Sequence, residues 1–234
     1  MGGIMTNRRN NRGGGRGERV AIFIDGSNLY HSLQENCGRF DVDFAALGQR
    51  LTDGRDLLRI YYYNVLRDAD RDPQAYQDQQ KFLTALHNTP YIETRLGSSK
   101  MRGQVAVEKG VDIMVATDLL KFAWDDLYDV AILVSGDGDF AYAVETVKNM
   151  GKHVEVAAFT PNLSQELAAV ADERHFFTPD YFSDIWSRGR RNPRFAQDYR
   201  GRREQPGEQM QDAPQRSHGP RRFLDRFRGG RGDS

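Results

Sequence analysis

The sequence contains a single cysteine, Cys37, among its 234 residues. This excludes an internal disulfide and a cysteine-rich zinc site, and a reducing compartment is expected. No apolar run approaches the roughly 18 residues that a membrane span needs. Residues 1–19 are polar and lack the apolar stretch of a signal peptide. The sequence therefore predicts a cytoplasmic protein without a membrane partner.

The chain as a whole also lacks net charge, because 33 basic side chains balance 33 acidic ones. That balance hides a separation along the sequence. Residues 1–19 carry a net charge of +4 and residues 187–234 carry +7, which leaves −11 for the middle of the chain. An acidic middle with arginine-rich ends fits a cation-binding domain with tails for a polyanion. Improved solubility alone is the alternative explanation.

Both ends of the chain are rich in arginine and glycine and poor in apolar residues. Residues 1–18 and 187–234 are therefore predicted to be disordered tails, and residues 19–186 to form the folded domain. The second tail interleaves arginine with Phe195, Tyr199, Phe223 and Phe227. Stacking and cation–π contacts can then add to phosphate attraction in RNA binding. A solvated linker is the alternative interpretation.

Short apolar runs alternate with helical periods between the tails, as in parallel strands joined by crossover helices. The pattern predicts strands at 20–24, 57–65, 130–134 and 154–159, and weaker ones near 91–96 and 175–177. It predicts helices at 73–87, 107–122, 140–150 and 163–170, with Asp139 as an N-cap and Gly151 as a helix terminator. The predicted fold class is α/β, with a mostly parallel central sheet flanked by helices.

Two of the strongest predicted strands run directly into carboxylates. Residues 20–24 lead into Asp25-Gly26-Ser27-Asn28, and residues 130–134 lead into Ser135-Gly136-Asp137-Gly138-Asp139. Parallel strands end on the same edge of a sheet, and neighbours lie about 4.8 Å apart, so carboxylates on neighbouring strands can share one ion. A hard dication such as Mg²⁺ removes their repulsion and keeps waters that a phosphate can replace.

The predicted helix 107–122 adds a further acidic group near its start. Asp112 is expected to point at the site, and Lys109, three residues earlier on the same helix face, to pair with a carboxylate or touch a phosphate. Asp118 lies about 120° around the helix from Asp112 and is expected to support the site without binding the same ion. A buried polar contact with a neighbouring loop is the alternative for Asp118.

An Asp-Gly-Asp sequence is also found in turns, calcium loops and phosphotransfer motifs. An EF-hand loop needs further oxygen ligands and a closing glutamate, whereas an apolar helix is predicted to follow Asp139. A phosphoaspartate mechanism needs fixed basic partners for its nucleophile, and none is evident in the sequence. The combination of aspartates therefore favours a divalent-metal site.

Taken together, these segments resemble the NYN domain in its LabA-like branch, within the wider group of PIN-like nucleases. The resemblance covers roughly residues 19–186 and neither tail. It rests on four motifs in order: Ile24-Asp25-Gly26-Ser27-Asn28-Leu29, then Lys109-Gly110-Val111-Asp112 followed by Asp118, then Ser135-Gly136-Asp137-Gly138-Asp139-Phe140, and a closing segment at 161–177.

The resemblance implies a Rossmann-like PIN fold whose acidic pocket uses Mg²⁺ or Mn²⁺ in RNA hydrolysis. By motif, the implied metal ligands or their close supports are Asp25, Asp112, Asp137 and Asp139. Asn28 and Ser135 are implied to hold the carboxylates and the scissile phosphate by hydrogen bonds. Single-stranded RNA is the expected partner, and a homo-oligomer is compatible with the sequence. Because the branch also resembles regulators, a non-catalytic RNA- or nucleotide-binding regulatory protein is the alternative function.

Overall fold

The computed structural model describes residues 17–102 and 105–187. Of the two predicted tails it includes only Gly17, Glu18 and Ser187, and the rest of the tails lies outside the described residues. Their disorder therefore stays a prediction.

A seven-stranded sheet forms the centre of the described part of the chain. Its strands are β1 (Arg19–Asp25), β2 (Asp56–Leu66), β3 (Ile92–Arg102), β4 (Val105–Lys109), β5 (Val130–Val134), β6 (His153–Phe159) and β7 (Glu173–Phe177). Their order across the sheet is β4-β3-β2-β1-β5-β6-β7. Six strands run parallel, and β4 pairs antiparallel with β3. The predicted α/β class with a mostly parallel sheet is confirmed.

Within the same residues, six α-helices flank the sheet. They are α1 (Gly26–Cys37), α2 (Phe44–Thr52), α3 (Pro73–His87), α4 (Val111–Trp124), α5 (Ala141–Asn149) and α6 (Gln165–Val170). Short 3-10 helices are found at Gly138–Phe140, Thr160–Asn162 and Pro179–Phe182. None of the described helices combines the length and the apolar character that crossing a membrane requires.

The helices form one layer on each face of the sheet. Helices α1 to α3 pack on the face that carries Ile22 and Ile24 of β1, and α4 to α6 pack on the face that carries Ala21 and Phe23. Strand β1 is therefore buried on both sides, which explains its continuous apolar sequence.

The direction in which the chain crosses the sheet reverses between β1 and β5. From β1 the chain continues to β2 and β3 on one side, whereas β5 leads to β6 and β7 on the other. Helix α1 follows β1 onto one face, and α5 follows β5 onto the opposite face. Such a switch point opens a crevice at the carboxyl ends of the two strands, where α/β proteins bind ligands.

The predicted start of the helix at residue 107 is wrong. Val105–Lys109 form β4, and α4 begins at Val111 after Gly110, whose φ of 88° allows the sharp turn between them. Lys109 therefore lies on a strand and shares no helix face with Asp112. The reason is the pairing of β4 with β3, a contact between distant residues that a local pattern of apolar residues does not reveal.

Candidate metal centre

Asp25 ends β1 and caps the helix that follows. Its Oδ1 accepts a hydrogen bond from the backbone N–H of Asn28 at 3.1 Å, which fixes the carboxylate at the N-terminus of α1. Its Oδ2 accepts a hydrogen bond from the Ser135 hydroxyl at 3.3 Å. Because Ile24 pairs with Val134, the next residues of the two strands are neighbours. Each oxygen of the carboxylate keeps a further lone pair for another ligand.

The loop after β5 is organised around the buried Ser135 hydroxyl. While it donates to Asp25, this hydroxyl accepts a hydrogen bond from the backbone N–H of Asp137 at 3.2 Å. Asn28 fixes the same loop from α1, because its Oδ1 accepts a hydrogen bond from the Gly136 N–H at 3.1 Å. Asn28 and Ser135 thus connect the ends of β1 and β5.

Asp137, and not Asp139, is the residue that caps the next helical segment. Its Oδ1 accepts a hydrogen bond from the Asp139 N–H at 3.0 Å at the start of the 3-10 helix Gly138–Phe140. Helix α5 continues directly from that turn without a side-chain cap. The predicted N-cap role of Asp139 is wrong, because the helical segment begins earlier than the apolar pattern indicated. Asp139 is solvent-exposed.

The negative charges of neighbouring aspartates contribute to raised pKa values at Asp25 and Asp112. Burial raises the pKa of the Asp25 carboxyl to about 6, and the negative charges of Asp112 and Asp137 add to this rise. The pKa of Asp112, a residue exposed overall, is raised by partial burial of its carboxyl and then by the charges of Asp137 and Asp139. No described cation contributes to either shift. A bound dication relieves repulsion of this kind.

Asp118 contacts the sheet instead of joining this group. Its carboxylate accepts a hydrogen bond from the Tyr63 hydroxyl at 2.8 Å and lies 3.4 Å from Nε of Arg95. The arginine balances its charge, so Asp118 anchors α4 to β2 and β3. This polar contact is made with strands and not with a loop. Tyr63 pairs with Asp25 in the β1–β2 register, so the contact supports the strand next to the site.

The tightest group of possible metal ligands lies at the opposite edge of the sheet. In residues 17–102 and 105–187, three residues have ligand atoms that all lie within 4.8 Å of one another, namely His153, Glu155 and Glu173. Burial alone would raise the pKa of Glu155, but hydrogen bonds from His175 and Arg55 lower it to about 2. Because Arg55 already neutralises Glu155, we interpret this group as an ion-pair network around the buried Glu155. No sequence motif marks this group, because Glu173 and the partner Arg55 reach it from other parts of the chain.

The loop after β6 covers the glycines of the Ser135–Asp139 segment. The backbone N–H of Ser164 donates a hydrogen bond to the Gly136 carbonyl at 2.9 Å. A Cβ atom at Gly136 would lie 1.9 Å from the carbonyl oxygen of Asn162. At Gly138 the nearest atom to such a Cβ would be the Ser164 hydroxyl, at 3.1 Å. Of these two glycines, Gly136 is therefore the one at which a backbone atom leaves no space for a side chain.

We expect Gly136→Ala to lower the free energy of unfolding by about 2 kcal/mol, because the two loops must move apart to admit the methyl group. Urea unfolding followed by circular dichroism measures this change. Gly138→Ala is the matched control and should have a smaller effect, because at 3.1 Å the nearest atom must shift by only a few tenths of an ångström. Equal stability of Gly136→Ala and the unchanged protein would show that the loops do not pack as described.

An open α/β sheet with acidic side chains at its switch point defines a Rossmann-like domain with a ligand crevice. The NYN domain family matches residues 19–180 of this chain. The chain therefore belongs to the NYN domain family, whose members are PIN-like and generally nucleases.

Known proteins similar to this chain include two bacterial relatives and one solved structure. The low amplitude and bright protein LabA of Synechococcus elongatus is 29% identical over 67% of this chain and 82% of its own length. The uncharacterized protein y4oD of Sinorhizobium fredii is 33% identical over 33% of this chain and 35% of its own length. A crystal structure of a protein of unknown function from Vibrio parahaemolyticus has a TM-score of 0.60 at 26% identity, and the match covers 70% of this chain and 96% of that one.

Proposed function

We propose that this protein is a metal-dependent ribonuclease that hydrolyses RNA phosphodiester bonds at the aspartate group. The observation that carries the proposal is electrostatic. In an NYN domain, burial and then the negative charges of neighbouring aspartates raise the pKa values of Asp25 and Asp112, and no described cation opposes these shifts. Carboxylate oxygens are the hard donors that Mg²⁺ and Mn²⁺ prefer. The residues present therefore fit such an ion, and the proposed ligands are Asp25, Asp112, Asp137 and Asp139.

Each side chain has a distinct task in the proposed site. The buried Asp25 carboxylate, held through both oxygens, supplies fixed negative charge at the base of the crevice. Ser135 and Asn28 keep the loop that carries Asp137 in place, so its carboxylate is oriented before substrate arrives. A divalent metal ion bound there supplies Lewis-acid stabilisation of the charge that develops on a phosphodiester.

Cleavage of a labelled single-stranded RNA by the purified protein tests this proposal. We expect products with Mg²⁺ or Mn²⁺ and none when EDTA removes the metal. Cleavage that EDTA leaves unchanged would contradict the metal-dependent mechanism. RNA binding without cleavage under every metal condition would favour the alternative, a non-catalytic RNA- or nucleotide-binding regulator.

We further propose that the arginine-rich ends of the chain, outside the described residues, add affinity for RNA through phosphate attraction. Deleting residues 1–16 and 188–234 should weaken RNA binding and flatten its dependence on salt concentration, while leaving metal binding intact. Fluorescence anisotropy at several salt concentrations measures both effects. Unchanged affinity and salt dependence would reject the contribution of these segments.

The free thiol of Cys37 fits the cytoplasm, which we propose as the compartment.

A further inference from the structure

Tyr142 is one of the most exposed large side chains in the described part of the protein, with 79% of its surface accessible. It lies on the first turn of α5, three residues after Asp139. Residues three apart on a helical segment lie on neighbouring positions of one face, about one turn apart along the axis. The ring is therefore placed about one turn from an acidic residue of the proposed site.

A second exposed apolar side chain lies on the first turn of α4. Ile113 is 72% exposed and directly follows Asp112. Helices α4 and α5 pack against each other, and both begin at the carboxyl edge of the sheet. Ile113 lies about 100° around α4 from Asp112, so the two side chains do not share a face, whereas Tyr142 lies three residues after Asp139 of the preceding 3-10 helix. Single exposed apolar residues are common on surfaces, so the position of Tyr142 relative to Asp139 is the informative feature.

An exposed aromatic ring next to a site for a phosphodiester offers a face on which a nucleobase can stack. In a duplex each base is already stacked and paired, so its face is covered, whereas an unpaired base leaves its face free. Aromatic side chains contribute in this way to the binding of single strands with little sequence preference.

We propose that Tyr142 stacks on an unpaired base of the RNA strand whose phosphodiester bond lies at the aspartates. Tyr142 is then a binding residue that favours single-stranded substrates. This inference rests on the proposed ribonuclease function for its substrate, but its binding test does not require cleavage.

The chain offers a matched control on the same layer of helices. Trp124 is 77% exposed, almost the same fraction as Tyr142, and is the last residue of α4. It lies twelve residues after Asp112, or about 18 Å along the helix axis. Removing its ring tests whether any exposed aromatic side chain binds RNA, or only one near the aspartates.

The experiment measures binding of a fluorescent single-stranded RNA in EDTA, and cleavage of the same RNA with Mn²⁺, for the full chain. We expect Tyr142→Ala to weaken binding and raise KM about tenfold with little change in kcat, the size of one lost stacking contact. Tyr142→Phe should keep both values, because stacking needs the ring and not the hydroxyl. Trp124→Ala should also keep them, and a fully paired RNA should bind equally to all variants.

Three results would overturn the inference. The first is unchanged RNA binding by Tyr142→Ala, and the second is an equal loss of RNA binding in Trp124→Ala. The third is a change from dimer to monomer in Tyr142→Ala, seen by light scattering, which would mean that the ring packs on a second copy of the chain. If the unchanged protein binds single strands through Tyr142 but cleaves none, the proposed ribonuclease function fails while the stacking contact stands. If it cleaves and Tyr142→Ala cleaves with the same KM, the stacking contact fails alone.

Discussion

Asparagine in place of Asp25 or Asp137 is expected to reduce metal-dependent cleavage of single-stranded RNA by about a thousandfold. Each substitution keeps the shape of the side chain and one of its two acceptor oxygens, but it replaces the other oxygen with an NH₂ group and removes a negative charge from the proposed ion site. A loss of this size is typical when groups that stabilise charge in a transition state are removed. Initial rates at saturating Mn²⁺ measure the effect.

Asp125→Asn provides the control for this prediction. Asp125 lies just beyond the end of α4, where it pairs with Lys121 on the surface. Such a pair contributes little to stability, so the variant should fold and cleave like the unchanged protein. Full activity in both Asp25→Asn and Asp137→Asn would refute the assignment of the site, whereas loss in all three variants would point to a general defect.

The second large effect concerns stability, because the charge on Asp25 is unfavourable in the metal-free fold. The pKa of this carboxyl rises from an ordinary value of 3.8 to about 6 in the folded protein, chiefly through burial. At 1.36 kcal/mol per pKa unit, ionised Asp25 lowers the free energy of unfolding by about 3 kcal/mol at neutral pH. Asp25→Asn should therefore stabilise the metal-free protein by up to about 3 kcal/mol at pH 7.5.

The sign of this effect fixes its pH dependence. Between about pH 4 and pH 6 the folded protein binds more protons at Asp25 than the unfolded chain does, so stability falls as the pH rises through this window. The increase in the free energy of unfolding caused by Asp25→Asn should be near zero below pH 4 and complete above pH 6. Urea unfolding in EDTA at several pH values measures it. An equal difference between the two proteins at pH 4 and pH 7.5 would show that the Asp25 pKa is not raised.

The two central strands at the site follow closely from the sequence, whereas their position as neighbours was only a condition of the prediction. Apolar runs bounded by acidic residues predicted β1 and β5, and parallel geometry predicted that their ends would meet if the strands were neighbours. The register that pairs Ile24 with Val134 fulfils this condition. These features are predictable because a strand buried on both faces needs apolar residues at every position, which is a local property of the sequence.

Other elements depend on contacts that local sequence does not contain. Strand β4 forms by pairing with β3, which its own sequence does not reveal. Helices α1 and α2 were not predicted; each buries apolar residues on the side that packs on the sheet. Tyr61, Tyr62 and Tyr63 of β2 are all buried, because helices cover both faces of the sheet. Tertiary packing decides these cases.

The sequence also could not separate acidic residues that are balanced by a cation from those that are not. Asp118 belongs to the same motif as Asp112, yet Arg95 from β3 pairs with it. Glu155 interrupts an apolar strand, and its partner Arg55 lies 100 positions away along the chain. Only the fold shows which carboxylates have such partners, and that distinction identifies the candidate metal ligands.

Calorimetric titration of the protein with Mn²⁺ at pH 7.5 tests most directly whether the aspartates bind a divalent cation. We expect saturable binding that is lost in Asp25→Asn and kept in His153→Ala, which changes the other group of possible ligands. Binding that survives Asp25→Asn and disappears in His153→Ala would show that the cation binds at the other group instead.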